Sequence, residues 1–189
     1  MALSATIHNF TLRLADADRQ VYETLELRVA RHPSESEDRL VARVLAYALE
    51  YGEGIAFSRG LSDPDEPAIA VRDLTGVLTA WIDVGLPDAA RLHKAGKAAK
   101  RVAVYAHRDP SVWLRGLAGE RIHRGAEMAL HAFDRELIAG LVKNLDRRVS
   151  MDLSVSEQHL YVSLGEAQHF EGALEPLSLD PPESRGGGT

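Results

Sequence analysis

Between Ser34 and Ala106 the chain alternates repeatedly between the apolar spacing of a helix and that of a strand. Ser34-x-x-Glu37 reads as a capping box. Leu40, Val41, Val44, Leu45, Ala48 and Leu49 then recur at helical spacing as far as Tyr51, and Gly52 and Gly54 end the run. Ile55–Ser58, Ala68–Arg72 and Val77–Val84 read as short strands, the last two a hairpin around the turn Asp73–Gly76. Pro87 suits a first helical position and opens a helix to about Arg101, and Val102–Ala106 is a further strand. Helix, three strands, helix, strand is an order that neither an all-helical bundle nor a β-sandwich accepts. It predicts an α/β fold, with a mixed central sheet flanked by helices.

The flanks extend this sheet. Ala5–Leu14 and Val21–Val29 predict two paired strands joined by the turn Asp16–Arg19. Downstream, Ser111–Leu117 predicts a short helix, Glu127–Phe133 a strand, and Asp134 the cap of a helix to Asn144. Val149–Val155, His159–Leu164 and Gln168–Leu174 predict a three-strand meander. With 189 residues, 45% of them apolar, one domain over residues 1–178 is expected, with residues 179–189 as a disordered tail.

Composition removes several function classes. No apolar run approaches the roughly 18–20 residues that span a bilayer, so no membrane association is expected. The start lacks a basic segment followed by an apolar one. The chain has no cysteine, which excludes disulfides, a thiol nucleophile, iron–sulfur clusters and the common structural zinc sites, and a reducing cytoplasm fits. No phosphate-binding P-loop or dinucleotide fingerprint is present. With 22 basic against 28 acidic residues, any nucleic acid must be met by a local basic patch.

Three features point to such a place. Glu37 falls in the arc of Leu40, Val41, Val44 and Ala48, so its carboxylate either closes the capping box or faces the core side as a ligand, whereas Glu35 points the opposite way. With Leu74-Thr75 central in the hairpin turn, Glu66 lies opposite Asp83 on one sheet face. Two opposed carboxylates repel unless a cation joins them, and Mg²⁺ or Mn²⁺ is the simplest such cation. Arg91, Lys94, Lys97 and Arg101 share one arc of the following helix, either a solvated face or a phosphate-binding edge. Arg31, just before the first helix, either pairs with an acid there or contacts phosphate.

Leu27-Arg-Val-Ala-Arg-His-Pro-Ser-Glu-Ser-Glu-Asp-Arg39, Phe57-Ser-Arg-Gly-Leu61, Asp65-Glu-Pro67, Trp81-Ile-Asp-Val-Gly-Leu-Pro-Asp88 and Lys94-Ala95 together resemble the YaeQ family of bacterial proteins, in order over residues 1 to about 176. The resemblance implies a variant of the PD-(D/E)XK nuclease superfamily, with a restriction-endonuclease-like α-β-β-β-α-β core over residues 34–106. Carried over, Glu66 or Asp65 stands for the first acid, Asp83 for the second and Glu37 for the helix acid. Gly85 stands where that pattern has lysine, and Lys94 resembles a lysine moved to the next helix.

The implied chemistry is phosphodiester hydrolysis of DNA or RNA. Carboxylates would hold Mg²⁺ or Mn²⁺, Lys94 would stabilise the reacting phosphate, and Arg91, Lys97 and Arg101 would hold the backbone. Two other expectations stand beside it: a catalytically inactive nucleic-acid- or protein-binding protein on the same scaffold, and an interaction protein in which the site is vestigial.

Overall fold

Two strands of equal length open the chain, β1 (Thr6–Asp16) and β2 (Val21–Arg31), in a computed structural model that describes residues 4–59 and 63–179. They pair antiparallel from Thr6 opposite Arg31 to Asp16 opposite Val21. The ribbon runs two residues past Leu14 and past Val29, because backbone pairing continues after the apolar alternation stops. At its turn the buried Asp16 carboxylate accepts the Arg19 N–H at 3.0 Å.

Helix α1 (Glu37–Leu49) forms where expected, but its cap is Ser36 rather than Ser34. The Ser36 hydroxyl accepts the Arg39 N–H at 3.2 Å, whereas the Ser34 hydroxyl is 2.6 Å from the His32 ring. The helix therefore starts later than the box implied. That leaves Glu35 outside it, free to turn inward, and it is buried at 5% exposure.

Strands β3 (Ile55–Phe57), β4 (Ile69–Arg72) and β5 (Leu78–Val84) are antiparallel neighbours, as predicted. The hairpin register differs from the expected one. The Asp73 carboxylate collects the N–H groups of Thr75 (2.9 Å) and Val77 (3.0 Å), and the Asp73 N–H reaches the Val77 carbonyl, so the loop closes one residue later than Gly76. A bulge between Val71 and Arg72 adds a further slip. Ile69 then lies opposite Ile82, and the residue beside Asp83 is Ala68, not Glu66.

Asp88 caps α2 (Ala89–Ala98) through the Arg91 N–H at 2.8 Å, in place of a start at Pro87. The helix ends before Arg101, which opens β6 (Arg101–Ala106) by pairing parallel with Ala80 of β5. Arg101 is thus a strand residue and leaves the basic arc of the helix.

After α3 (Ser111–Leu117) come a 3₁₀ turn (Gly125–Glu127), β7 (Ala129–Phe133), α4 (Arg135–Lys143), β8 (Arg148–Ser156), β9 (His159–Leu164) and β10 (Gln168–Leu177). All ten strands join one mixed sheet in the order β2-β1-β8-β9-β10-β7-β6-β5-β4-β3. β5, β6 and β7 are mutually parallel, and β8–β10 form the predicted meander. Together with the four α-helices of the described residues this is a single-domain α/β fold.

One face carries the main core. There α1 and α4 pack on Phe10, Leu12, Ile82, Tyr105, Leu153 and Leu160. The other face of the parallel strands is covered by α2 and α3, with Trp81, Val102, Val104 and Leu130 against Leu92, Ala95 and Leu117. Among the described residues no helix is long and apolar enough to cross a membrane. Gly60 and Leu61 of the Phe57–Leu61 motif, and residues 180–189 of the expected tail, lie outside the described residues.

Candidate functional site

Parallel strands direct their carboxyl ends to one edge, and in open α/β sheets ligands bind outside that edge. Here the carboxyl ends of β5 and β6 and the amino end of α1 enclose a cleft of about 560 Å³. Its walls include Ser36, Arg39, Asp83, Arg91, His107 and Arg108. Gly85, at φ +122°, carries the chain off β5 while its N–H still bonds the Tyr105 carbonyl of β6 at 2.9 Å.

Asp83 is the central carboxylate, at 4% exposure. Two places along β5, Trp81 shares its face, and the indole Nε1–H donates to Oδ2 at 2.9 Å. Arg91 of α2 grips both oxygens, with Nε to Oδ2 at 2.7 Å and Nη2 to Oδ1 at 2.8 Å. The Ala68 N–H adds a contact to Oδ1 at 3.2 Å. The partner that cancels the Asp83 charge is therefore an arginine, in a bidentate and half-buried geometry. The hydrogen bonds it donates to Asp83 raise the Arg91 pKa and hold it cationic.

The other residues expected at a metal do not converge there. The Glu37 carboxylate is 3.4 Å from Arg31 and half exposed. Glu66 precedes β4; its carbonyl accepts from Arg91 at 2.8 Å, while its carboxylate has no hydrogen bond or ion pair among the described residues. Lys94 pairs with Asp65 rather than with Asp83 or Glu66. Among the described residues no three His, Asp or Glu side chains come together as metal ligands. As arranged, with Asp83 taken by four donors, these residues do not fit Mg²⁺ or Mn²⁺.

The basic edge divides as well. Arg91 is engaged by Asp83 and by the Glu66 and Pro64 carbonyls, Lys97 is exposed, and Arg101 bonds Glu50 on the opposite side of the sheet.

Several residues that build the cleft escaped the sequence reading. Glu35, expected to point away, accepts from Arg39 at 2.8 Å and from Arg43 at 3.0 and 2.9 Å. Burial lowers the Arg43 pKa, against the opposing pull of Glu35. Arg39 also donates to the Val84 carbonyl at 3.2 Å, tying α1 to the end of β5. The spacing of Glu35, Arg39 and Arg43 at intervals of four was the legible signal. Arg108 is exposed and forms no ion pair or hydrogen bond among the described residues. His107 is buried at 8% exposure, and burial with the nearby charges of Arg108 and Arg39 lowers its pKa to about 4.

A second cavity, about 590 Å³, lies at the other end of α1, between Leu49, Glu50, Arg101, Tyr105, His131 and the β1–β2 turn. Its charged groups bond one another. Glu50 accepts from the Tyr105 hydroxyl at 2.6 Å and from Arg101, and Arg19 caps the Leu49 and Tyr51 carbonyls.

The family model described as YaeQ protein matches residues 1–171. YaeQ of Escherichia coli K12 is 32% identical over 165 residues, covering 86% of this chain and 91% of its own length, and YaeQ of Salmonella typhi matches to the same extent. The crystal structure of YaeQ from Pseudomonas syringae superposes with a TM-score of 0.82 at 34% identity, covering 92% of this chain and 96% of that one. YaeQ from Xanthomonas axonopodis pv. citri gives 0.84 at 28%, covering 93% and 99%. On sequence and fold together, the chain belongs to the YaeQ family.

Proposed function

We propose that the cleft at the carboxyl ends of β5 and β6 binds the phosphodiester backbone of DNA or RNA, on a scaffold related to the PD-(D/E)XK nucleases. The observation that carries this reading is Arg108, an exposed guanidinium that lines the cleft and has no ion pair or hydrogen bond among the described residues. Asp83 is already matched by Arg91, and Glu35 is shared by Arg39 and Arg43. That leaves Arg39 sharing its carboxylate with Arg43, and Arg108 without an ion-pair partner among the described residues, beside the capped amino end of α1. Helix amino ends and arginine forks are suited to phosphate oxygens. In this reading Arg108 and Arg39 contact the backbone, and Arg91 holds Asp83 and the 63–67 loop in place.

A second reading, a metal-dependent phosphodiesterase, is favoured by one observation. Arg91 draws the Pro64 and Glu66 carbonyls toward Asp83, and Asp63 of the same loop lines the cleft. It requires Arg91 to release Asp83 to Mg²⁺ or Mn²⁺, with Lys94 leaving Asp65.

Fluorescence anisotropy with a labelled single strand of fifteen thymidines, and with a duplex, tests the first reading. Binding by the wild type that weakens with added salt, and by about fivefold or more in Arg108→Ala, supports it. No binding by the wild type at low salt sinks it. Product formation by the same preparation with Mg²⁺ or Mn²⁺, lost in Asp83→Asn, would move the assignment to the second reading.

A further inference from the structure

His107 follows the last residue of β6 and closes the inner wall of the cleft. Its ring packs over Gly85, where the Cβ atom of any larger residue would lie 3.9 Å from the imidazole Cε1. The charged groups around it are Arg108 beside it, and Arg39, Asp38 and Glu35 at the amino end of α1. Asp63, Asp83 and Arg91 line the same cleft. Nδ1 is fully buried without a hydrogen-bond partner, and neither ring nitrogen bonds to any described residue.

A buried polar atom with no partner is uncommon and points to strain or to a function. Here the two ring nitrogens are not equivalent. A proton on Nδ1 would be a buried donor facing no acceptor, which is rarer in proteins than a buried lone pair. The proton therefore sits on Nε2, and the small exposure that the ring retains opens into the cleft it lines.

From this geometry we infer that His107 is an anion-binding residue of the cleft, which donates its Nε2–H as a neutral imidazole to a phosphate oxygen between Arg39 and Arg108. Burial and the flanking arginines disfavour the imidazolium, which keeps the ring neutral throughout the physiological range. The role resembles that of an uncharged donor set among cations. It fixes where one phosphate oxygen sits without adding charge, through a hydrogen bond weaker than the charge-assisted ones of the arginines. The inference rests on the reading that the cleft binds a phosphate backbone.

The test uses the full chain and the same fifteen-thymidine strand, whose phosphodiesters and bases do not titrate between pH 6 and 8. Glutamine can place an amide N–H near the position of Nε2, and asparagine near that of Nδ1. His107→Ala and His107→Asn should each weaken binding about tenfold, and His107→Gln should restore it to within about twofold of wild type. Wild-type affinity should be the same at pH 6 and pH 8 at constant salt. Long-range ¹H–¹⁵N correlation spectra of the wild type should show Nδ1 unprotonated and Nε2 protonated at pH 7, whether or not the variants fold well.

Three results would overturn the inference while leaving the cleft reading intact. The wild type binds but His107→Ala binds equally well; asparagine rescues and glutamine does not; or affinity rises about tenfold from pH 8 to pH 6, the mark of an imidazolium. Absence of any wild-type binding overturns the cleft reading itself, and the inference with it.

Discussion

The two ends of α1 hold cavities of nearly equal size, about 560 and 590 Å³, and each has a buried carboxylate gripped by an arginine. At the amino end, Asp83 and Arg91 cancel one another, Arg39 shares Glu35 with Arg43, and Arg108 has no ion-pair partner among the described residues. At the carboxyl end, Glu50 takes both Arg101 and Tyr105, and Arg19 covers the helix carbonyls. Asp18 holds the β8–β9 turn through the Glu157 and Gln158 N–H groups. Volume does not separate the two. What separates them is the hydrogen-bonding capacity left over after the protein has satisfied itself, and only the amino-end cleft has cationic capacity to spare.

The largest expected effect tests how strongly Asp83 depends on Arg91. Arg91→Ala leaves a buried carboxylate with two neutral donors, at a cost of about 3–5 kcal/mol. Arg101→Ala removes a more exposed arginine and leaves Glu50 its Tyr105 bond, at about 1–2 kcal/mol. Urea unfolding of the two variants gives the ratio, and equal losses would break the contrast. Asp83→Asn sharpens it. Opposed carboxylates at residues 66 and 83 would make this change stabilising, whereas the Arg91 grip makes it destabilising by about 1–3 kcal/mol.

Acid should act at the amino-end cleft through His107. Its native pKa, lowered to about 4, lies below the ordinary value of 6.5, so below pH 6.5 the unfolded chain binds more protons and stability falls with pH. Between pH 7 and pH 5 this single group contributes about 2 kcal/mol of loss. His107→Gln should flatten the pH dependence of urea unfolding by that amount. His131, whose pKa burial also lowers, borders the other cavity and should be unaffected by the substitution.

The sequence reading was good where one local signal decides the structure, and poor where two local details combine. The interleaved periods of residues 37–106 placed α1, β3–β5, α2 and β6 in order, because an apolar stripe must face a core whatever the partner. The hairpin register was lost to one extra loop residue and one bulge, neither of which changes hydrophobicity. That small slip moved Glu66 out of the site and put Ala68 beside Asp83. Asp83 and Arg91 were both picked out, but as a metal ligand and a phosphate contact. Their mutual bond depends on how α2 sits on β5, which periodicity does not encode. Glu35 was misdirected by assuming that the helix began at Ser34.

Ser36→Ala and Ser34→Ala test that assumption directly. Loss of a cap costs about 1 kcal/mol, so Ser36→Ala should lower stability by that amount and Ser34→Ala by much less. Equal effects would return the cap to the earlier serine and, with it, Glu35 to the helix.

The smallest expected effect concerns Lys94, and it separates the two functional readings most sharply. The Lys94 side chain is 44% exposed and that of its partner Asp65 is 74% exposed. An exposed pair of this kind contributes about 0–1 kcal/mol, so Lys94→Ala should leave the urea midpoint almost unchanged. If the cleft only binds, Lys94 is already occupied by Asp65, and its loss should weaken strand binding less than Arg108→Ala does. Lys97 supplies the control, being exposed on the same helix without a partner among the described residues. Lys97→Ala should cost about twofold in affinity at low salt and nothing measurable once salt screens it. A phosphodiesterase demands the opposite order, with Lys94→Ala abolishing cleavage in Mg²⁺ or Mn²⁺ and Lys97→Ala leaving it nearly intact. A Lys94→Ala variant that binds like wild type, from a preparation that cleaves nothing, confines the lysine to bracing the 63–67 loop.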